Sequence, residues 1–233
     1  YTTNGSTPTI SSAQYVAGTP LSVSASETVQ AIAVASGYTN SAMASGTYTI
    51  TGSTSTTPVS VSLSAQDTLI GIGTIGTATS GGGLDGGGCT YASNLLGTTL
   101  TWGGSSFTLG GANVADAVSN KTLTLPTGAF SSLNLLATGV NGNQTNQTFV
   151  VTYTDGTTTN IIQSLSDWFS PQNYTGESIA LSMAYRVNPN GTADNKTFNL
   201  YGYSLALNSA KTVKSLTLPA NGNVVVLAID LMP

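Results

Sequence analysis

Apolar and polar positions alternate with a period of two along most of the chain, and no stretch keeps a helical period for three turns. In the first fifty residues this pattern predicts strands at Leu21–Val23, Thr28–Val34 and Gly46–Ile50, with Ser36-Gly37-Tyr38 as a turn. A Ser/Thr stretch closed by Pro58 follows and reads as a linker over residues 51–58. Beyond it, strand signals recur at short intervals. They fall at Val59–Leu63, Thr99–Trp102, Ser106–Leu109, Lys121–Leu125, Ser131–Thr138, Gln147–Tyr153, Thr158–Ser164, Ser178–Arg186, Thr197–Ala206, Val213–Leu218 and Val224–Leu231. Asp155-Gly156 and Gly103-Gly104 sit between paired runs, and Asp-Gly predicts a type I′ hairpin. The expectation is all-β: a small module over 1–50, then an antiparallel two-sheet sandwich of jelly-roll kind over 59–233.

Composition narrows the chemistry. Five Lys plus Arg, nine Asp plus Glu and no His give a net charge of −4, and charged residues are only 6% of the chain, against ~25% in ordinary soluble proteins. Such a chain cannot neutralise a row of phosphates, so nucleic acid is not an expected partner. Without His, Ser-His-Asp catalysis and imidazole zinc sites are excluded. The single Cys89 rules out an intrachain disulfide and reads as a small buried residue in a Gly-rich turn. No apolar run approaches the ~20 residues of a membrane-spanning helix. The opening Tyr1-Thr2-Thr3-Asn4-Gly5 carries no leader pattern and reads as mid-domain sequence, so a fragment of a longer protein is expected. A neutral surface of Ser, Thr, Asn and Gly is the style of a secreted bacterial β-protein.

Two resemblances add to this. The motifs Tyr1-Thr2-Thr3-Asn4-Gly5-Ser6-Thr7-Pro8-Thr9 and Val29-Gln30-Ala31-Ile32-Ala33-Val34-Ala35-Ser36-Gly37-Tyr38-Thr39-Asn40-Ser41 resemble the chitobiase/β-hexosaminidase C-terminal domain family, small Ig-like modules of secreted bacterial hydrolases. That family has Asp where Asn4 stands, and strands upstream of Tyr1 that this sequence lacks. The resemblance therefore implies a truncated module with an unpaired edge, or an edge filled by another segment. The second unit, through Gly83-Leu84-Asp85-Gly86, Tyr91-Ala92-Ser93-Asn94-Leu95-Leu96-Gly97, Ser166-Asp167-Trp168 and Leu216-Thr217-Leu218-Pro219, resembles a C-terminal module of secreted sedolisin-type peptidases and glycoside hydrolases. It implies a galactose-binding-like β-sandwich. Fold analogy by itself does not assign a ligand.

Candidate chemistry concentrates in Ser164–Tyr174. Trp168, Phe169 and Tyr174 stand beside Asp167, and sugar rings stack on aromatic faces while acids take their hydroxyls. The alternative is that Trp168 plugs the sandwich and Asp167 caps a turn. Arg186, the only Arg, suits a carboxylate such as Asp167 or Glu177, or else an acidic sugar. Trp102 is either a hairpin anchor or a stacking residue. Asp167 and Glu177, ten residues apart, do not by themselves make a glycosidase pair, and no catalysis is expected of this segment. The Gly-rich run Ser80–Cys89 lacks the Lys of a phosphate-binding loop, although Asp85 within it suits a structural calcium.

Taken together, the sequence reads as a non-catalytic accessory region of a secreted bacterial protein. It would bind a polysaccharide and tether a partner catalytic domain, itself a peptidase or glycoside hydrolase. The rival reading is a structural module that self-associates into a filament or surface layer by strand addition at the open N-terminal edge.

Overall fold

The computed structural model describes residues 1–23, 26–49 and 57–233. Residues 51–56 of the expected linker, and Ile50 at the end of an expected strand, lie outside them. The chain divides into two compact units, Tyr1–Gly52 and Ser53–Pro233.

In the first unit, β1 (Glu27–Ala31) pairs antiparallel with β2 (Ala44–Tyr48). On its other side β1 forms isolated bridges with Thr2 and Asn4. The expected strand at Leu21–Val23 does not form, and the run from Thr28 stops at Ala31 rather than Val34. Packing accounts for this: Pro8 is the only buried side chain among the described residues of the unit, so nothing beyond backbone pairing rewards an extended conformation. Ile10, Tyr15, Val16, Val34 and Tyr38 are all exposed, Tyr38 at 81%.

The second unit contains β3 (Val59–Ser60), β4 (Ile72–Gly73), β5 (Thr90–Ala92), a single-turn α1 (Ser93–Leu96), β6 (Thr99–Trp102) and β7 (Ser105–Thr108). Then come β8 (Thr122–Thr124), β9 (Ser132–Gly139), β10 (Gln144–Tyr153), β11 (Thr158–Leu165), β12 (Glu177–Met183) and β13 (Arg186–Val187). The last elements are β14 (Ala193–Asp194), β15 (Phe198–Ala206), β16 (Val213–Thr217) and β17 (Val224–Met232). A four-stranded sheet, β11-β10-β16-β8, faces a five-stranded one, β12-β15-β9-β17-β3, and all pairings within both are antiparallel. Between them lies one core, with Phe149, Val151 and Tyr153 from β10 set against Leu133, Leu135, Tyr201, Tyr203 and Ile229.

The five-stranded sheet is buried on its other face as well. Leu136, Leu200, Val225 and Leu227 point away from the first core into a second one, with Tyr91, Phe107, Trp168 and Phe198. A third layer supplies this cover: the small sheet β14-β13-β5-β4, helix α1 and the hairpin β6-β7. β17 shows the consequence in sequence, since its first eight residues are all buried. A bulge between Val226 and Ala228 switches its alternation, so Val224 and Val226 share the first core with Ile229 and Leu231.

Two expectations change. The strand predicted over Ser178–Arg186 is broken at Ala184-Tyr185, where the chain leaves the five-stranded sheet for the outer one. The Asp155-Gly156 hairpin is not type I′, because Gly156 has positive φ and Asp155 does not. The Tyr153 N–H bonds the Thr157 carbonyl around a three-residue loop with Gly156 in the left-handed region. At Gly103-Gly104 both glycines do take positive φ, and Trp102 pairs with Ser105.

A two-stranded sheet without a buried face is marginal in water, whereas each buried aliphatic or aromatic side chain of the second unit contributes roughly 1.5–3 kcal/mol. Residues 57–233 expressed alone should therefore unfold in one cooperative thermal transition. Residues 1–52 alone should show none, as circular dichroism melting of the two fragments would check.

Candidate functional site

The segment leaving β11 is fixed by Asp167. Its carboxylate accepts the N–H groups of Phe169 and Gly142, both at 2.8 Å, and its own N–H donates to Asn143 at 2.8 Å. The Tyr201 hydroxyl donates to the Asp167 carbonyl at 2.8 Å. The carboxylate thus caps a turn, with both oxygens accepting backbone N–H groups. Trp168 follows it inward and is only 3% exposed. Its ring stands edge-on to Tyr91 and Phe198, with centroids 5.4 and 5.3 Å away. Trp168 plugs the second core, and its reading as an open stacking platform is corrected. An indole next to an acid looks the same in sequence whether it points in or out.

Arg186, at the start of β13, lies between these rings. Its guanidinium carbon is 4.9 Å from the centroid of Trp168 and 4.8 Å from that of Phe198. Nε donates to Asp194 at 3.1 Å, and a terminal nitrogen meets Asp85 at 3.4 Å. Neither of its expected partners takes part. Glu177 instead accepts the Ser166 N–H at 2.8 Å and the Tyr203 hydroxyl at 2.6 Å. Burial, and then this bond to Glu177, hold the Tyr203 hydroxyl far above the usual phenol range.

Asp85 reaches Arg186 because the Gly-rich run folds into a closed loop. Leu84 N–H bonds the Cys89 carbonyl and Gly88 N–H the Gly82 carbonyl. Gly83 is required there, since a Cβ on it would stand 2.4 Å from the Cys89 oxygen at a φ of +60°. The Asp85 carboxylate accepts the N–H groups of Gly87 and Cys89, at 2.9 and 3.1 Å. Surrounded by N–H donors and a guanidinium, it is in the wrong environment for calcium, which needs oxygen ligands. Burial, reinforced by the nearby Asp85 charge, pushes the Cys89 thiol up to about 11, so it is not a nucleophile near neutral pH.

Phe169, Arg186, Asp194, Lys196, Trp168 and Phe198 together line a cavity of about 160 Å³. Phe169 is 49% exposed at its rim. Lys196 stands 5.7 Å from the Phe169 ring and 3.7 Å from Asp194. Two cations and two carboxylates meet here through Arg186, Lys196, Asp85 and Asp194, so the formal charge is zero.

Residues 57–233, more than half of the chain, match the AziU2-like β-sandwich domain. The chain belongs to that family. Residues 1–47 match the chitobiase/β-hexosaminidase C-terminal domain, in agreement with the motifs around Tyr1 and Gly37. No curated protein matches the chain. Both matched families are of accessory domains. Among the described residues no helix is long and apolar enough to cross a membrane.

The other residues singled out in sequence lie elsewhere in the AziU2-like domain. Trp102 is partly buried against the second core and lies over Gly202, where a Cβ would approach the indole to 2.1 Å. Its Nε1 donates to the Ser178 hydroxyl at 2.9 Å, so Trp102 anchors its hairpin to the five-stranded sheet. Tyr174 is half-buried and does not line the cavity. Sequence reasoning missed Asp194, Lys196 and Phe198. Their signal was an acid and a base two residues apart, just ahead of an aromatic strand, in a chain with five basic residues.

The two neighbouring aromatics of the AziU2-like domain should separate cleanly in denaturant unfolding. Trp168→Ala should cost about 3–5 kcal/mol, as for a large buried ring. Phe169→Ala should cost about 1 kcal/mol or less, as for a half-exposed position.

Proposed function

We propose that this chain is a non-catalytic accessory region of a secreted bacterial protein, and that its AziU2-like domain binds carbohydrate through the Phe169 cavity. The observation that carries the reading is an exposed aromatic ring held over a rigid base. Trp168, Phe198 and Arg186 fix the floor, while Phe169 stays half open at the rim with Lys196 and Asp194 beside it. Sugar C–H faces stack on such a ring, and the ammonium and carboxylate take hydroxyls. Because the charges around the cavity cancel, a neutral sugar fits better than an acidic one. The chitobiase-type domain at residues 1–47 supports an extracellular, glycan-associated setting. In that setting the chain would hold a partner catalytic domain near its substrate, and tethering alone raises the local concentration of enzyme at the glycan.

Affinity electrophoresis against neutral and acidic polysaccharides tests this. At least one neutral polysaccharide should retard the chain, and Phe169→Ala should abolish the retardation with the thermal transition preserved. Unretarded migration of the wild-type chain across the panel would contradict the proposal.

A further inference from the structure

Carboxylates are few in the second unit, and nearly all are met by donors. Asp85 and Asp194 have Arg186, Asp155 has Lys211, and Asp167 has backbone N–H groups. Glu177 has Ser166 and Tyr203, and Asp230 has the hydroxyls of Ser60 and Ser105. Asp67 and Asp116 each keep one carboxylate oxygen without a donor.

Asp116 is only 3% exposed. Its Oδ1 accepts the Gly71 N–H, but its Oδ2 is buried without any hydrogen-bond partner. Asp67 also has a buried oxygen, Oδ1, without a partner. The backbone brings the two together. Leu69 and Ala117 form an antiparallel bridge, so the segment after Asp67 runs beside the segment after Asp116. Both acids line one cavity of about 360 Å³ next to the edge strand β3, and no Lys or Arg lines it.

An anionic oxygen buried without a donor is expensive, by several kcal/mol unless a cation or proton compensates it. Two in one cavity, with no side-chain cation, must either take up a proton or bind a cation from outside. Ser62, Ser64 and Thr108 line the same space beside apolar residues, and hydroxyls are oxygen donors of the kind a hard ion takes. Among the described residues no group of three or more His, Cys, Asp or Glu could hold a metal. Asp230 lines the same cavity, but its oxygens are taken by the Ser60 and Ser105 hydroxyls, so the set is two carboxylates, to be completed by hydroxyl, carbonyl and water oxygens. Calcium accepts such mixed oxygen sets with loose geometry, whereas magnesium demands a stricter octahedron.

We propose that Asp67 and Asp116 form a calcium site in the cavity beside β3, joining the 67–70 and 116–118 segments to the edge of the five-stranded sheet. The ion would replace the donors that Asp67 Oδ1 and Asp116 Oδ2 lack. This site is independent of the Phe169 cavity and shares no residue with it.

The test is calorimetric titration of the chelator-treated full chain with calcium chloride, with thermal melting in parallel. The expected result is one binding event and a higher melting temperature with calcium. In Asp67→Asn, at a partly exposed position, affinity should fall at least tenfold. Asp116→Asn should abolish binding, and if that variant does not fold, Asp67→Asn decides. No binding heat and no melting shift in the wild-type chain would overturn the proposal, as would unchanged affinity in Asp67→Asn.

Discussion

A guanidinium held between two aromatic rings and two carboxylates is the contact on which the outer layer of the second unit depends. Arg186 draws together parts of the chain that are far apart: Asp85 from the Gly-rich loop, Asp194 from β14, Trp168 from the segment after β11 and Phe198 from β15. The planar fork can bond both carboxylates while its faces lie against both rings, which an ammonium cannot do. Desolvating a charge is costly, and here two carboxylates and two ring faces offset that cost. The same contact gives the Phe169 cavity its floor, so the candidate site and the outer layer have one physical origin.

The outer layer exists because the five-stranded sheet is apolar on both faces. That requirement was legible in Val224–Ile229, a continuous apolar run of the sort found where strands are covered on two sides. The long strands of the two main sheets were legible for a related reason: β10 and β15 carry aromatic and aliphatic residues at period two, which fixes both element and face. Of the third layer only the β6-β7 hairpin was legible. β4, β5, β13 and β14 are two or three residues long and have no period to read. Their conformation comes from packing on a face that only the folded chain creates.

The site was legible in part. Ser166–Phe169 and Arg186 were singled out because aromatics and charge are scarce, and the cavity does contain Trp168, Phe169 and Arg186. Direction and partnership were not readable. Trp168 points in and Phe169 out because Asp167 fixes the turn between them through contacts with Gly142 and Asn143. Asp85, 101 residues from Arg186, pairs with it where Asp167 and Glu177 do not, because closure of the Gly-rich loop decides the match. Asp116 carried a signal that was passed over: an acid in the middle of Val114-Ala115-Asp116-Ala117-Val118 is an ionisable group set to be buried.

Hydrogen exchange followed by mass spectrometry on Arg186→Lys tests the central claim most directly. Lys keeps the charge but loses the fork and the ring contacts. If Arg186 ties the outer layer to the sheet, the 81–89 loop and the β13–β14 segment should exchange much faster in the variant. The amides of β9, β10 and β17, held by the two-sheet core, should keep their protection. Unchanged exchange in the 81–89 loop, or an equal loss of protection throughout the second unit, would contradict the account.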